Sequence, residues 1–316
     1  MKYSGVYIAP VTPLDSSDQI DFKRFEELIE YLLRGGVDGV CVGGGTSEYP
    51  RLSLKQRKQL ISHASRQIGD RATVFGCIGT ASFSGVLELG EHAARENVDA
   101  VLLTMPHFYL YRQSDLELFC REVSRRLRLP CLLYNLPDFT NPLEPETAIR
   151  LLQTEPGLIG IKDSGGDSAV FKQFVEAFLE KEVSLIVGRD ALIHTALDAG
   201  WDGIVSGLGN LCPELLACLL DSFRIRDRKR SQACQIEINR ISDFLQQMPV
   251  PWAIRGGLEV RGLPCGPPAL PLTGERSDQM KNFQLWFSEW LENDLPRVVG
   301  GKVFNKSSAS LSRKPF

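Results

Sequence analysis

The chain has 316 residues, 43% of them hydrophobic and 24% charged, which is typical of a globular protein with a sizeable core. Its formal net charge of −3 does not favour a nucleic-acid partner. The sequence contains no apolar run long enough to cross a bilayer, and the opening MKYSGVYIAPVTP lacks the apolar stretch of a signal peptide. We therefore expect a cytoplasmic protein without a membrane partner.

Short apolar segments recur along the first two thirds of the chain. They are apolar almost throughout rather than at every second residue, which is typical of parallel strands buried on both faces. The sequence predicts eight such strands, at residues 5–12, 38–44, 73–79, 100–106, 130–135, 158–163, 184–188 and 203–207.

Segments with helical spacing separate most of these strands. In residues 22–34, for example, apolar side chains fall on one helical face and a glycine pair follows. Eight strand–helix units in succession favour a (β/α)8 barrel, which we expect to be built from residues 1–212. An open, doubly wound sheet is the alternative.

The pattern becomes helical after residue 212. Residues 213–296 predict the last barrel helix and a C-terminal helical domain, which could serve subunit contacts. Residues 297–316 contain basic residues and no acidic ones, and they are rich in Ser and Gly, so we expect a disordered basic tail.

Lys162 ends the sixth predicted strand, in LIGIKDSGGD. Because active sites of such barrels lie at the C-terminal ends of the strands, this lysine is a candidate catalytic residue. Burial would lower its pKa and leave a neutral amine, which can condense with a ketone to form a Schiff base. The alternative is a lysine paired with Asp163 that reaches the solvent.

Tyr134 ends the neighbouring fifth strand, and its phenol could transfer protons beside Lys162. Its alternative role is packing. The second strand runs into Gly43-Gly44-Gly45-Thr46-Ser47, whose backbone N–H groups and hydroxyls suit a carboxylate. This segment could also be a turn without an anion, and it lacks the lysine of a phosphate-binding loop.

The four histidines are far apart in the sequence and form no HExxH pair, so we predict no metal site. His107 follows the fourth strand, where it could contact substrate or have no role.

Several of these motifs together resemble the dihydrodipicolinate synthase / N-acetylneuraminate lyase family, the class I aldolases of the pyruvate type. The resemblance covers residues 3–290 and includes APVTPLDSSDQIDFKRFEELIEYLLRGGVDGVCVGGGTSEYPRLS, YNLP, GIKDSGGD and GWDGIVSGLGN. It implies a barrel with a C-terminal helical domain, a homo-oligomer (tetramer or dimer), and catalysis through a lysine imine without a metal or organic cofactor.

The resemblance also implies roles for individual residues. Lys162 matches the Schiff-base lysine and Tyr134 the general acid/base. Thr46, with the amides near it, matches the group that holds the carboxylate of a 2-oxo acid. The residues that the resemblance and the strand ends place around the substrate are Gly45, Thr46, Ser47, Gly188, Val205, Asp190, Phe139 and Phe108.

Three positions depart from the synthases of this family. Gly45 replaces a threonine of a hydroxyl relay, and Phe108 stands where the second relay tyrosine is expected, although Tyr109 could substitute if the loop shifts by one residue. Phe139 replaces an arginine that binds the carboxylate of the aldehyde substrate, and an apolar ring cannot replace a guanidinium. We therefore do not expect dihydrodipicolinate synthase activity.

The sequence thus predicts a Schiff-base-forming lyase that cleaves or forms the C3–C4 bond of a 2-oxo acid, with pyruvate as product or donor. A 2-keto-3-deoxy sugar acid or 4-hydroxy-2-oxoglutarate fits best. Arg189 and Asp190 are candidate contacts for the distal chain, although Arg189 could also face solvent. Three alternatives stay open: a sugar-acid dehydratase, a true dihydrodipicolinate synthase, and a non-catalytic 2-oxo-acid-binding protein.

Overall fold

The computed structural model of the protein, which describes residues 2–300, confirms the barrel. Eight parallel strands pair in sequence order, and β8 closes the sheet by pairing with β1. The strands are β1 Val6–Ile8, β2 Gly39–Val42, β3 Thr73–Cys77, β4 Ala100–Thr104, β5 Cys131–Asn135, β6 Leu158–Asp163, β7 Ser184–Val187 and β8 Gly203–Ser206. Each lies within a segment that the sequence predicts.

A helix follows each strand and packs on the outside of the barrel. These helices are α1 Phe22–Arg34, α2 Leu54–Ile68, α3 Phe83–Arg95, α4 Gln113–Arg126, α5 Pro145–Thr154, α6 Ala169–Ala177, α7 Ile193–Ala199 and α8 Pro213–Arg224. Local sequence sets where several of them begin. The Asp21 carboxylate accepts from Arg24 N–H, and Ser53 and Gln56 form a reciprocal capping box at α2.

The C-terminal extension consists of α9 Arg228–Leu245, α10 Val250–Val260, α11 Gly274–Asn293 and α12 Leu295–Val299. The prediction of a disordered tail from residue 297 is wrong for residues 297–299, because Leu295 and Val299 are buried and hold α12 against α8 and α9. Residues 301–316, the remainder of that tail, lie outside the described residues. Within residues 2–300, every helix is too short or too polar to span a bilayer.

Strand register decides which side chains share the barrel interior. Thr104 pairs with Tyr134, Tyr134 with Lys162, and Lys162 with Ile186. Because partners in register face the same side of a parallel sheet, these four side chains form one layer inside the barrel. This layer lies at the C-terminal ends of the strands, where the interior opens into the strand–helix loops.

Candidate active site

Lys162 and Tyr134 are in contact at the top of the barrel interior. The Lys162 Nζ lies 3.8 Å from the centroid of the Tyr134 ring, a cation–π distance. Lys162 is only 5% exposed to solvent and Tyr134 only 4%. Within residues 2–300, no carboxylate forms an ion pair with Lys162, so the phenol ring is its most prominent electrostatic partner. The amine and the phenol therefore lie within one reactive site.

The pKa of Lys162 corrects one expectation from the sequence. Burial lowers this pKa, as expected, but Tyr134, Cys41 and Cys77 raise it, and the net direction is upward from the ordinary value. Desolvation is the largest single influence, but the three neighbours together outweigh it. The resting lysine is therefore an ammonium, which must lose a proton before it can attack a carbonyl carbon.

Gly188 and Val205 line the same interior. A Cβ added at Gly188 would lie 2.8 Å from Lys162 Cε, so only glycine allows the strand-7 backbone to approach the lysine this closely. The Gly188 N–H donates to the Asp163 carbonyl at 2.7 Å. Val205 is buried in the interior cluster that contains Tyr134. The structure thus brings both predicted residues to the site.

The glycine-rich loop after β2 lies beside the phenol. A Cβ added at Gly45 would lie 3.8 Å from Tyr134 Oη, and one added at Gly207 would lie 2.8 Å from Thr46 Oγ1. The Ser47 hydroxyl donates to the Pro10 carbonyl at 2.6 Å and accepts from Gly43 N–H at 3.2 Å. The Ser47 hydroxyl therefore stabilises the loop, and the Thr46 hydroxyl remains near the mouth of the barrel.

Asp190 lies at the end of β7, with its carboxylate already engaged. Ser206 Oγ donates to Asp190 Oδ1 at 2.5 Å, and the Leu208 N–H also donates to this carboxylate. Burial raises the pKa of Asp190 to about 6, although these hydrogen bonds and Lys162 lower it in part. These contacts fix the turn after β8 and leave Asp190 close to Lys162.

Phe108 and Phe139, the two aromatic residues that replace residues of the synthases, lie on the outside of the barrel mouth. Phe108 is 87% exposed and has a positive φ of 82°, and Phe139 is 70% exposed. Between these loops and β7, Arg189 Nη1 pairs with Asp138 Oδ2 at 3.3 Å. The Arg189 side chain is 43% exposed, so its guanidinium is available to a bound molecule.

Sequence reasoning missed a second phenol at this site. Tyr49, directly after the glycine-rich loop, is buried, and its hydroxyl lies 3.3 Å from His107 Nδ1. Arg57, also buried, stacks on the Tyr49 ring at 4.9 Å and donates to the carbonyls of Gly43, Cys77 and Gly79. A tyrosine immediately after GGGTSE was the available signal, and it looked like an ordinary loop residue.

No three His, Cys, Asp or Glu side chains of residues 2–300 converge in a way that could hold a metal ion.

Comparison with known proteins agrees with this geometry. The family model of the dihydrodipicolinate synthetase family matches residues 2–285. The chain belongs to this family. It is 27% identical over 290 residues to the 4-hydroxy-tetrahydrodipicolinate synthase of Bacillus subtilis (strain 168), covering 92% of this chain and 100% of that protein.

Two solved structures show the same fold. The 4-hydroxy-tetrahydrodipicolinate synthase of Methylacidiphilum fumariolicum SolV superposes with a TM-score of 0.85 at 27% identity, covering 92% of this chain and 98% of that one. CdNal of Clostridium difficile, solved in complex with mannosamine, has a TM-score of 0.85 at 19% identity, over 92% of this chain and 99% of that one. Family membership confirms the expectation of a lyase that works through a lysine Schiff base.

Proposed function

We propose that this lyase is an aldolase that cleaves a 4-hydroxy-2-oxo acid to pyruvate and an aldehyde, with Lys162 as the Schiff-base residue and Tyr134 as the proton-transfer residue. One observation carries the proposal: a buried lysine contacts a phenol at 3.8 Å in a closed barrel. Burying a cation without a carboxylate is costly, and chemistry is the usual reason to retain it.

The reaction begins when the Lys162 ammonium gives up a proton, which ends on the carbonyl oxygen of the substrate, and the amine attacks C2. Tyr134 protonates the departing carbinolamine hydroxyl, water leaves, and a protonated imine forms. Tyr134 then transfers the proton of the C4 hydroxyl to the solvent at the mouth. The C3–C4 bond breaks, its electrons enter the imine, and the products are an aldehyde and an enamine. Protonation at C3 and hydrolysis release pyruvate and restore Lys162.

The loop after β2 supplies a site for the C1 carboxylate. The N–H groups of Gly45, Thr46 and Ser47 form no hydrogen bond to residues 2–300, and Thr46 Oγ1 lies beside Gly207. Free backbone donors in a tight turn suit an anion. A carboxylate bound there would hold C2 between Lys162 and Tyr134.

Arg189 favours a substrate with a second carboxylate, of the 4-hydroxy-2-oxoglutarate type. Its guanidinium lies above Gly188 and Gly166 at the rim, where a Cβ added at Gly166 would be 3.3 Å from Arg189 Nη2. The Asp138 partner is itself 53% exposed, so a substrate carboxylate can replace it at small cost. A 2-keto-3-deoxy sugar acid is the second candidate, because Asp190 follows β7 at the same end of the barrel, where a carboxylate can accept from a hydroxyl of the chain.

A dehydratase of the same family would use the same two residues and expel the C4 hydroxyl. Dihydrodipicolinate synthase activity is disfavoured because Phe139, exposed at the rim, provides no cation for an aldehyde carboxylate. A non-catalytic binding protein would have no need for the Lys162–Tyr134 contact.

The decisive experiment is a screen of 4-hydroxy-2-oxo acids, monitored for both pyruvate and 2,5-dioxo acids. Release of pyruvate and an aldehyde supports the aldolase, whereas a dioxo acid identifies the dehydratase. Reduction with borohydride in the presence of pyruvate should add a 1-carboxyethyl group to the Lys162 amine, located by mass spectrometry. Absence of this adduct would favour the non-catalytic alternative, and efficient condensation of pyruvate with aspartate semialdehyde would refute our interpretation of Phe139.

We also propose that the chain forms a homo-oligomer through the aromatic face beside the mouth. Phe108, Tyr109, Leu110 and Phe139 expose 66–94% of their surfaces on adjoining loops. Contiguous exposed apolar residues of this size usually mark an interface. Sedimentation should give a dimer or tetramer, and Phe108→Glu should shift it toward the monomer. A wild-type monomer would contradict the proposal.

A further inference from the structure

Cys218 and Cys234 lie side by side where α9 packs on α8, the last helix of the barrel. The Cys234 Sγ donates to the Cys218 Sγ at 3.5 Å, although the two residues are 16 positions apart in the sequence. A disulfide holds its sulfur atoms about 2.05 Å apart, which leaves a gap of about 1.5 Å for small side-chain rotations to close. The two sulfurs are therefore already in contact before any oxidation.

The two sulfurs differ in their exposure to solvent. Cys234 is fully buried, whereas Cys218 is half-buried and partly accessible to solvent. A small oxidant therefore meets the Cys218 sulfur first. The Cys234 sulfur lies behind it, where it can attack an oxidised Cys218.

The surroundings of Cys218 favour its thiolate, which is the nucleophilic form of a cysteine. The hydrogen bond from Cys234 lowers the pKa of Cys218. Ser222 and Arg230 also lower this pKa, against the opposing effect of partial burial. The same hydrogen bond raises the pKa of Cys234, and so does the burial of that thiol. The pair therefore combines one reactive sulfur with one sulfur that keeps its proton.

Loss of the thiol protons leaves the neighbouring backbone hydrogen-bonded. The Cys218 Sγ donates to the Val298 carbonyl at 3.7 Å, and this carbonyl also accepts from Arg230 Nε at 3.1 Å. When the Cys218 proton is lost, Arg230 still satisfies the carbonyl. Helix α12, which contains Val298, can therefore stay packed on α8 and α9 after oxidation.

We propose that Cys218 and Cys234 are a modification site, which hydrogen peroxide converts to a disulfide between α8 and α9. The Cys218 thiolate attacks one peroxide oxygen, and the O–O bond breaks. The hydroxide that leaves takes up the proton that Cys218 had lost, and Cys218 becomes a sulfenic acid. Cys234 then attacks the sulfenic sulfur, the S–S bond forms, and the hydroxyl leaves as water with the Cys234 proton. Two thiols lose two electrons and two protons, and one hydrogen peroxide becomes two waters.

The cross-link fixes α9 at the point where it supports the barrel mouth. Gln235, the residue after Cys234, donates to the Asp190 carbonyl at 3.0 Å and accepts from the His194 N–H at 2.9 Å. A disulfide at Cys234 therefore holds the segment that anchors the turn after β7. The two sulfurs take no part in the proposed lyase reaction, so the oxidised protein should still form the pyruvate imine.

Hydrogen peroxide added to the intact protein tests the site. Brief treatment at pH 7 should lower the intact mass by the mass of two hydrogen atoms, and dithiothreitol should reverse the change. Peptide mapping without reductant should find Cys218 joined to Cys234. The urea midpoint of the oxidised protein should rise by about 0.5–1 M over that of the reduced protein, because a cross-link restricts the unfolded chain.

Cysteine variants identify the role of each sulfur, with circular dichroism to check that they are folded. Cys234→Ala removes the second thiol and should leave a sulfenic acid on Cys218, which dimedone traps. Cys218→Ala should lose the cross-link and give no dimedone adduct on buried Cys234. Cys212→Ala, which replaces a buried cysteine just before α8, is the matched control and should form the cross-link like the wild type.

Two results would overturn the proposal. One is a peroxide-treated wild type without the bond between Cys218 and Cys234, a measurement that needs no variant to fold. The other is dimedone labelling of Cys234 in Cys218→Ala as fast as that of Cys218 in Cys234→Ala. Both results leave the Schiff-base function standing, whereas a reduced wild type that forms no pyruvate adduct would refute that function alone.

Discussion

Lys162 at the barrel mouth and Arg261 in the helical extension are both buried cations, and they differ in what surrounds them. Arg261 Nη2 donates to the Glu214 carboxylate at 2.7 Å and its Nε to the Leu211 carbonyl at 2.8 Å, with a side chain that is 0% exposed. Lys162 has an aromatic ring and two thiols around it. Nearby Arg57 also lacks a carboxylate but binds three carbonyl oxygens.

The difference distinguishes a structural cation from a reactive one. A buried guanidinium that meets a carboxylate and a carbonyl joins α10 to α8, and the fold depends on both partners being present. An amine that has a phenol and thiols as neighbours and no carboxylate in an ion pair can change its protonation state and covalent state without breaking such a pair. The same burial therefore has opposite consequences for stability and activity.

The largest contrast should come from replacing each cation by methionine. Lys162→Met should abolish turnover, by at least about 10³-fold, and change the free energy of unfolding by less than about 1.5 kcal/mol, because the side-chain volume is nearly kept. Arg261→Met should destabilise by about 3–5 kcal/mol, because the buried Glu214 carboxylate loses a charged donor. The folded fraction should keep its activity.

Urea unfolding and pyruvate release measure the two effects separately. Glu214→Gln is the companion control, which should destabilise in the same direction as Arg261→Met. If Lys162→Met unfolded as readily as Arg261→Met, Lys162 would be a structural cation, and the distinction between the two buried cations would be wrong.

The barrel was predictable because its signals are local and repeated. Each strand, such as Leu158–Asp163, is a short apolar run followed by a helix with one apolar face. The ends of β5 and β6 could be assigned as neighbours, which predicted that Tyr134 and Lys162 meet. Helix α12 was missed because only its packing on α8 and α9 stabilises five residues that contain a proline.

The less predictable part of the site depends on contacts between distant segments. Tyr49 meets His107 only because the loops after β2 and β4 converge at the mouth. The Ser47 hydroxyl looked like a substrate ligand, but it donates to the Pro10 carbonyl, so only the backbone N–H of Ser47 is left for a carboxylate. The pKa of Lys162 likewise depends on Cys41 and Cys77, two neighbours that no short motif contains.

A second prediction concerns how the rate of imine formation at Lys162 depends on pH. Since its pKa is raised above the ordinary 10.5, the neutral amine is a minor form at neutral pH and grows about tenfold per pH unit. The rate of imine formation with pyruvate should therefore rise steadily from pH 7 to pH 9, as measured by rapid mixing and borohydride quenching. A plateau below pH 8 would show that the lysine titrates low, as the sequence alone suggests. Arg261→Lys, which leaves Lys162 in place, should show the wild-type slope in its folded fraction.

The smallest expected effect is a difference in alkylation rate between a cysteine that packs against the helical extension and one in the barrel interior. Cys234 Sγ donates to Cys218 Sγ at 3.5 Å between α9 and α8, and this bond, with Ser222 and Arg230, lowers the pKa of Cys218 below that of an ordinary thiol. Under Lys162, burial raises the pKa of Cys77 to about 11. A thiolate reacts with alkylating agents and a buried thiol does not.

Iodoacetamide at pH 7 should therefore modify half-buried Cys218 first and leave pyruvate imine formation intact, as peptide mass spectrometry and trapping would show. Cys234→Ala removes the donor and should slow labelling of Cys218 several-fold, while Cys41→Ala, in the barrel, should leave it unchanged. Labelling of Cys77 before Cys218 would mean that the barrel interior is open to solvent. The Lys162 ammonium would then be stabilised by water rather than by the aromatic ring beside it.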